Sequence, residues 1–242
     1  MPTIDLNADL GEGGANDAAL IALASSANIA CGGHAGDEET MRAAIAACLA
    51  AGVAIGAHPG YEDREHFGRR EMPMEPAAVA EMVVRQVSRL AALAGGAIHH
   101  VKPHGALYNQ ADRDRSLAEA VAEGVVRSAP GCEFYVPPGG ALAAAGEAAG
   151  LIVRPEGFAD RRYRENGTLV PRGEPGAVIE DADEAVAQAL QIACAARVET
   201  VAGAWFPLPA RTLCVHGDSP QSVALLRAVR ATLEAAGFTI QT

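Results

Sequence analysis

The stretch TIDLNADL, residues 3–10, decides the fold because polar and apolar side chains alternate along it. Successive residues of a β-strand point to opposite faces, so this strand has one aliphatic and one polar face. Helices would cover both faces of an open, doubly wound sheet, and both faces would then be apolar. In a closed barrel only the outer face meets helices, and the inner face can become polar toward the mouth. The two faces here are Ile4, Leu6 and Leu10 against Asp5, Asn7 and Asp9.

Six further apolar runs extend this pattern along the chain and alternate with segments of helical period. Repeated strand–helix units predict a parallel sheet with helices outside it. We therefore predict a TIM-like (β/α) barrel, with seven strands and one domain over residues 1–242. The final FTI, residues 238–240, could add a short extra strand. The predicted strands are Thr3–Asn7, Ala27–Ala30, Val53–Ala57, Ile98–Lys102, Glu133–Val136, Leu151–Arg154 and Thr212–His216.

Helix-capping residues mark the ends of several predicted helices between these strands. Asp37 is a candidate N-cap for a helix that runs to about Ala51, where Gly52 ends it. Ser219-Pro220 is predicted to start the last helix and Gly237 to close it.

Composition excludes several classes of protein. The net charge of −11 argues against nucleic acid or an anionic membrane as a partner. The five cysteines are scattered and contain no CxxC pair, which is typical of reduced thiols in a cytosolic protein. The N-terminus shows no signal-peptide pattern, and no apolar run approaches the length of a membrane span. We therefore expect a cytoplasmic protein.

Polar side chains collect at the C-terminal ends of the predicted strands, where the chemistry of such barrels takes place. Among them is Lys102, the single lysine of a chain whose other basic side chains are all arginine. We expect these side chains to line one mouth and Lys102 to lie among Asp9, Glu156 and Asp218. The set comprises Asn7, Asp9, Asn28, His34, His58, Lys102, His104, Glu156, Asp160, His216 and Asp218.

Two kinds of chemistry fit this set. Asp9, His58 and His104 could bind a metal, because imidazole and carboxylate suit zinc and similar ions, although no HxxH or HExxH motif is present. Alternatively, Asp9 or a histidine could transfer protons beside a cationic Lys102. The sequence leaves the choice open.

Glycine-rich turns lie on the same rim. The segments LGEGG (10–14), CGGHAGD (31–37) and PPGG (137–140) each follow a strand and could bind a carboxylate or phosphate through backbone amides. Neither GxxxxGK[ST] nor GxGxxG occurs, so no nucleotide fingerprint is present.

Two arginine-rich loops complete the candidate site. Residues 58–70, HPGYEDREHFGRR, follow the third strand, and residues 158–176, FADRRYRENGTLVPRGEPG, follow the sixth. The second loop is long enough for a lid or a partner-docking hairpin, with a turn at Asn166-Gly167. A solvated surface loop is the alternative.

Taken together, these motifs resemble the LamB/YcsF family, whose members form the first of the subunits of prokaryotic 5-oxoprolinase. The resemblance spans nearly the whole chain in the family's order. The matching stretches are DLNADLGEG (5–13), SANIACGGHAGD (26–37), IGAHPGY (55–61), FGRR (67–70), HVKPHGALYN (100–109), FADRRY (158–163) and VHGD (215–218).

The resemblance implies a seven-stranded barrel of the glycoside hydrolase/deacetylase type. It also implies ATP-dependent opening of 5-oxoproline to glutamate, with ATP and Mg²⁺ as cofactors and with partner subunits B and C. It adds Glu12 to the candidate site. We assign five residues to catalysis and six to substrate binding: Asp9, His58, Lys102, His104 and His216, and then Asn7, Glu12, Asn28, His34, Asp160 and Asp218.

Within that chemistry we predict that Lys102 holds a phosphate or oxyanion, that Asp9 and His58 handle protons, and that the glycine loops hold the substrate carboxylate. Gly14 and Gly33 stand where the family has aromatic residues, which predicts wider pocket walls. Glu38 and Glu62 stand where it commonly has proline. Two other functions remain open: a metal-dependent amide hydrolase or deacetylase without ATP, and a non-catalytic substrate-binding subunit.

Overall fold

Seven parallel strands close into a barrel in the computed structural model, which describes all 242 residues. The strands follow one another around the barrel in chain order, and the seventh strand pairs with both the sixth and the first. The predicted seven-stranded TIM-like barrel is therefore confirmed. Its strands are β1 (Thr3–Leu10), β2 (Ser26–Ala30), β3 (Ala54–His58), β4 (His100–Val101), β5 (Glu133–Val136), β6 (Ile152–Phe158) and β9 (Thr212–Cys214).

Eight α-helices flank the barrel. Asp37 caps α2 as predicted: its carboxylate accepts the Thr40 N–H while the Thr40 hydroxyl bonds the Asp37 backbone, which forms a capping box. Gly52 ends α2 with φ of 68°, a conformation that favours glycine. The helices are α1 (Asp17–Ile21), α2 (Glu38–Ala51), α3 (Pro76–Leu93), α4 (Gly105–Ala111), α5 (Arg115–Ser128), α6 (Ala141–Ala148), α7 (Ala182–Ala195) and α8 (Ser222–Ala235), with a 3₁₀ turn at Arg64–His66.

Some strand bounds differ from the predicted ones. β1 is longer and reaches Leu10, because its last residues pair with β2. β9 ends at Cys214 rather than His216, because the backbone N–H of His216 donates to the Asp160 carboxylate at 2.9 Å and leaves the sheet. β4 is short, yet His99 and Lys102 still donate backbone hydrogen bonds to β3 on either side of it.

The predictions for the elements near the C-terminus had mixed outcomes. The extra strand at residues 238–240 is confirmed, since β10 (Thr239–Ile240) pairs in parallel with the start of β1. The antiparallel pair β7 (Arg197–Glu199) and β8 (Trp205–Pro207) was not predicted. The start of α8 at Ser219 was wrong, because Ser219 forms a turn and the helix begins at Ser222.

The two faces of the barrel strands have opposite chemistry. Fifty-nine buried residues form one hydrophobic cluster, which includes the aliphatic face of β1. The inner face is buried but polar, and its base is tied together by Asp5, which accepts hydrogen bonds from the hydroxyls of Ser25, Ser26 and Thr212. Buried polar groups are stable when their partners are present, so this network fixes the register of the strands beneath the mouth.

No helix combines the length with the hydropathy needed to span a membrane. All five cysteines are unpaired, and only Cys194 is exposed.

Candidate active site

Lys102 lies in the centre of the barrel, directly after β4. Its Nζ is 3.0 Å from Asp9 Oδ1, 3.0 Å from Glu156 Oε1 and 3.0 Å from Cys214 Sγ. Burial opposes a charge on this amine, but Asp9 and Glu156 outweigh it and raise the pKa of Lys102 well above its usual value. The lumen therefore holds a permanent cation between two carboxylates. The prediction that Lys102 lies beside Asp9 and Glu156 is confirmed.

Two asparagines support this ion pair from below. Asn7 donates to Glu156 and Thr212 and accepts from Asn28 and Lys102, so every hydrogen-bonding position of its amide is used. Asn28 also donates to Asp9 Oδ1 at 2.8 Å. Both side chains are fully buried. They were predicted to bind substrate, but their partners place them as supports for Asp9 and Lys102.

Asp9 connects this pair to two histidines at the mouth. Its Oδ2 lies 3.4 Å from His58 Nε2 and 3.9 Å from His216 Nε2. Burial alone would raise the pKa of Asp9, but Lys102 and His58 hold it well below its usual value. Asp9 is thus an ionised carboxylate with one oxygen held by Lys102 and the other turned toward the mouth.

His216 and Asp160 form a histidine–carboxylate pair beside Asp9. His216 Nδ1 lies 2.9 Å from Asp160 Oδ2, which leaves Nε2 to face Asp9. Burial lowers the pKa of His216, although Asp160 opposes that effect. A neutral imidazole oriented by a carboxylate is the arrangement of a general base. Asp160, predicted to bind substrate, therefore lies where it orients His216.

The other wall of the mouth contains three histidines and Glu12. His58 Nε2 is 2.9 Å from His104 Nδ1, and Glu12 Oε1 is 3.1 Å from His34 Nε2 and 3.5 Å from His104 Nδ1. The rings of His34 and His104 stack face to face, with centroids 3.6 Å apart. Burial lowers the pKa of both His34 and His104, so these imidazoles favour the neutral form. These carboxylate and imidazole atoms are a possible set of metal ligands.

The glycine of the FGRR motif makes room for the stacked pair. Gly68 has φ of 63°, and a Cβ on it would lie 2.6 Å from His34 Cβ. No larger residue fits there without displacing the ring. Gly33 did not widen the pocket as predicted, because the side chain of Gln86 fills that space and bonds the backbone of Gly60. A Cβ on Gly14 would meet only Asp17 Oδ1, at an ordinary contact distance of 3.8 Å.

Asp218 is not in the lumen, and the prediction that it lies beside Lys102 was wrong. Its carboxylate forms ion pairs on the rim with Arg69 at 2.5 Å and with Arg172 at 3.0 Å. Each arginine comes from one of the two arginine-rich loops, so Asp218 joins both loops over the mouth. We call Arg69, Arg172 and Asp218 the rim clasp. Below it, the side chains of Glu12 and His216 are only 10% and 13% exposed.

The glycine turns do not present a free anion site at PPGG. The start of α6 is already occupied by Asp112, whose carboxylate accepts the Leu142 N–H and whose carbonyl accepts the Ala141 N–H. In LGEGG, the Gly11 N–H is bonded to Asp17 at 2.8 Å. These turns are tied down within the protein, which argues against their predicted role as carboxylate holders.

Three residues of the mouth were missed. The alternation of side chains along a strand places Cys214 on the same polar face as Thr212 and His216, so the sequence could have identified it. Arg69 lies in the FGRR motif, to which the sequence assigns no role. Arg172 lies far along a loop, and no sequence signal connects it to Asp218.

Comparison with known proteins agrees with this architecture. The chain matches the LamB/YcsF family over residues 4–242. It is similar to a lactam utilization protein from Thermus thermophilus, with 41% identity, 99% of each chain covered and a TM-score of 0.90. It shares its fold with a family 4 carbohydrate esterase from Streptomyces lividans, with 13% identity, coverage of 100% and 92% and a TM-score of 0.52. A polysaccharide deacetylase from Bacillus cereus shares the fold as well, with 16% identity, the same coverage and a TM-score of 0.52. With the family matched from β1 to the last residue, the chain belongs to the LamB/YcsF family.

Proposed function

We propose that this chain is one component of an ATP-dependent 5-oxoprolinase, which hydrolyses the lactam of 5-oxo-L-proline to L-glutamate with formation of ADP and phosphate. The observation that carries the proposal is the His216–Asp160 pair, whose free nitrogen faces the ionised Asp9 at the mouth. The family and the lactam utilization protein at 41% identity support a lactam as the substrate class.

The chemistry demands a water-activating base. A five-membered lactam is a poor electrophile, and its ring re-forms easily. Transfer of the γ-phosphoryl group of ATP to the lactam oxygen makes the ring carbon open to attack by water. Attack by this water and cleavage of the C–N bond give an acyl phosphate and a free amine, whose nitrogen takes a proton. A second water then attacks the acyl phosphate, which releases phosphate and leaves the side-chain carboxylate of glutamate.

The geometry suggests a separate role for each polar group. His216 takes the proton of the attacking water, and Asp160 holds its tautomer. Asp9 assists from the other side of the mouth, kept ionised by Lys102. We revise the role predicted for Lys102, because its ammonium group already has acceptors for all three protons. It acts by fixing Asp9 rather than by holding the phosphate.

A different group is available for the substrate carboxylate. Arg172 Nη2 is buried without a hydrogen-bond partner, while the other terminal nitrogen pairs with Asp218. A guanidinium binds a carboxylate through parallel N–H donors. Arg172 lies close enough to His216 to lower the pKa of that imidazole, so a carboxylate held by it would lie next to the base.

ATP use is proposed for the assembled enzyme rather than for this chain alone. The sequence has neither of the two common nucleotide fingerprints. We therefore propose that subunits B and C assemble with this chain, with ATP and Mg²⁺ bound by the complex.

A second candidate is a metal-dependent amide hydrolase that needs no ATP. The observation that favours it is the convergence of Glu12, His58 and His104 at the mouth. Such an enzyme would turn over its substrate as a single chain.

The deciding experiment measures glutamate release from 5-oxoproline, with and without ATP, for this chain alone and for the chain with subunits B and C. The proposal expects release only in the complete mixture with ATP, and its loss on His216→Gln substitution. Release by the chain alone without ATP would favour the second candidate. Unchanged turnover with His216→Gln and Asp9→Asn would instead assign the chain a substrate-binding role and refute the proposal.

A further inference from the structure

We infer that Glu12, His58 and His104 bind one divalent transition-metal ion, zinc or a similar first-row ion, at the mouth of the barrel. The starting point is the contact between His58 Nε2 and His104 Nδ1, which are 2.9 Å apart in the buried wall of the mouth. The inference stands on the geometry of these side chains and does not depend on the proposed reaction.

The proton positions on both rings follow from their other nitrogens. His58 Nδ1 lies 2.7 Å from the backbone carbonyl oxygen of Lys102, and His104 Nε2 lies 2.9 Å from that of Phe67. A carbonyl oxygen can only accept, so each of these nitrogens carries a proton. In a neutral imidazole the other nitrogen is then a bare lone pair.

With both rings neutral, two lone pairs would face each other across 2.9 Å. Such a contact is repulsive unless a positive species lies between or beside the two nitrogens. A single shared proton or a metal ion could fill that role. A shared proton needs only the two imidazoles, whereas a metal needs further donors aimed at the same place.

Glu12 supplies the further donor. Its Oε1 is 3.5 Å from His104 Nδ1, and it lies within 4.8 Å of the ligand atom of His58. Ligands about 2.0–2.1 Å from a tetrahedral zinc lie about 3.3 Å from one another, close to the observed spacings of 2.9 Å and 3.5 Å. Two histidines, one glutamate and an open fourth position are a known ligand pattern of catalytic zinc.

His34 belongs to the support of the site and not to the ligands. Its ring is parallel to His104 within 4°, with centroids 3.6 Å apart, so one ion cannot lie in the planes of both rings. His34 Nε2 is instead 3.1 Å from Glu12 Oε1, where its N–H can orient the carboxylate. Carbonyl oxygens of Lys102 and Phe67 orient the two ligand rings in the way that outer-shell groups do around bound metals.

An ion at this position would lie next to the reactive end of Asp9, whose Oδ2 is 3.4 Å from His58 Nε2. A bound divalent ion can polarise a carbonyl oxygen or lower the pKa of a water. An ion held here would therefore supply an electrophile beside Asp9.

The test titrates Co²⁺ into the purified chain after removal of metals with EDTA, and follows the visible absorption of the cobalt ion. We expect saturation at one equivalent per chain and displacement of Co²⁺ by Zn²⁺. Zn²⁺ should also raise the melting temperature of the stripped protein, because it binds the folded state.

Variants separate ligands from supports. Glu12→Gln and His104→Gln should each weaken Co²⁺ binding by more than about 100-fold, since changes to outer-shell groups alone cost about 10–100-fold. His34→Phe keeps the stacked ring but loses the hydrogen bond to Glu12, and it should fall in the range of an outer-shell change. His66→Gln is the matched control, because His66 lies on the surface beside Asp63 and should leave binding unchanged.

Glu12→Gln should fold normally, because the substitution keeps the size and shape of a side chain at the partly exposed rim of the site. A loss of Co²⁺ binding in this variant would therefore not be due to misfolding. Its fold is checked by circular dichroism. The inference is wrong if the wild-type chain binds no ion at one equivalent. It is also wrong if folded Glu12→Gln and His104→Gln bind Co²⁺ as tightly as wild type does. In either case a shared proton, not a metal, joins His58 to His104.

Discussion

Lys102 Nζ and Asp9 Oδ1 are 3.0 Å apart across the barrel, and Glu156 lies at the same distance on the other side of the ammonium group. The three charges are almost completely buried. The single lysine of the chain therefore balances two buried carboxylates. A compact ammonium suits this narrow space, whereas a planar guanidinium does not.

Replacement of Lys102 by Ala should destabilise the protein as well as abolish turnover. Removing one partner leaves buried charges uncompensated, which typically costs about 3–5 kcal/mol. Lys102→Arg should be nearly as harmful, because the larger fork cannot occupy the same position. Urea denaturation and turnover of the assembled complex measure the two effects. Arg42→Ala is the control, since its pair with Glu38 is exposed; near-normal turnover of Lys102→Arg would contradict the geometric explanation.

Asp160→Asn should lower turnover by about 10²–10⁴-fold, the usual contribution of a general base. The substitution removes the carboxylate that fixes the tautomer of His216. Asp160 also raises the pKa of His216 against the effect of burial. Loss of the Asp160 carboxylate should therefore lower the pKa of His216 further. The acid limb of the kcat–pH profile, which reports that pKa, should move to lower pH. A variant within twofold of wild type with an unmoved limb would show that His216 is not the base.

Asp112→Asn should stabilise the protein at pH 8 and make little difference near pH 4. Burial raises the pKa of Asp112 to about 6, so the folded state binds more protons than the unfolded state between the ordinary aspartate pKa and pH 6. Stability of the wild type consequently falls as pH rises through that window and is level above it. The amide can still accept the Leu142 N–H. Thermal unfolding from pH 4 to 8 checks the sign.

Asp114→Asn is the matched control with the opposite behaviour. Asp114 caps α5, and hydrogen bonds from Ser116 and Leu117 lower its pKa. Its carboxylate therefore stabilises the protein above the ordinary aspartate pKa, and that contribution fades as pH falls through the lowered value. A common pH trend for the two variants would contradict the assignment.

Asp218→Asn should loosen the rim clasp with little loss of global stability. The pairs with Arg69 and Arg172 are partly exposed, and such pairs contribute about 0–1 kcal/mol. Amide hydrogen exchange should become faster in residues 58–70 and 158–176 together, since one carboxylate joins both loops. Glu62→Gln breaks the exposed pair with Arg85 and should leave the second loop unaffected. Independent exchange of the two loops in wild type would argue against the clasp.

Much of the site could be predicted because the alternation of side chains along each strand and the order of the strands can both be read from the local sequence. The alternation in residues 3–10 placed Asp9 on the inner face, and the end of each strand placed His58, Lys102 and His216 at one mouth. The convergence of these groups is observed; their catalytic roles stay proposals.

The remaining features depend on contacts between loops, which no local pattern encodes. Asp218 lies on the rim and not in the lumen, because two arginines from distant loops form ion pairs with it there. The PPGG turn looked free, but Asp112 from another helix end occupies it. The ligands inferred for the metal come from three separate segments, so no motif of fixed spacing could reveal them.

The pairing of β9 with β1 has a consequence for biosynthesis. Asp5 and Thr212 share a hydrogen bond across 207 positions, and Asn7 and Asp9 depend on the same closure for their neighbours. Until the ribosome has made residue 212, Asp5 and Asn7 of β1 lack the Thr212 hydroxyl that bonds both side chains. The polar network at the base of the barrel is therefore completed late in synthesis, only after residue 212 has been made.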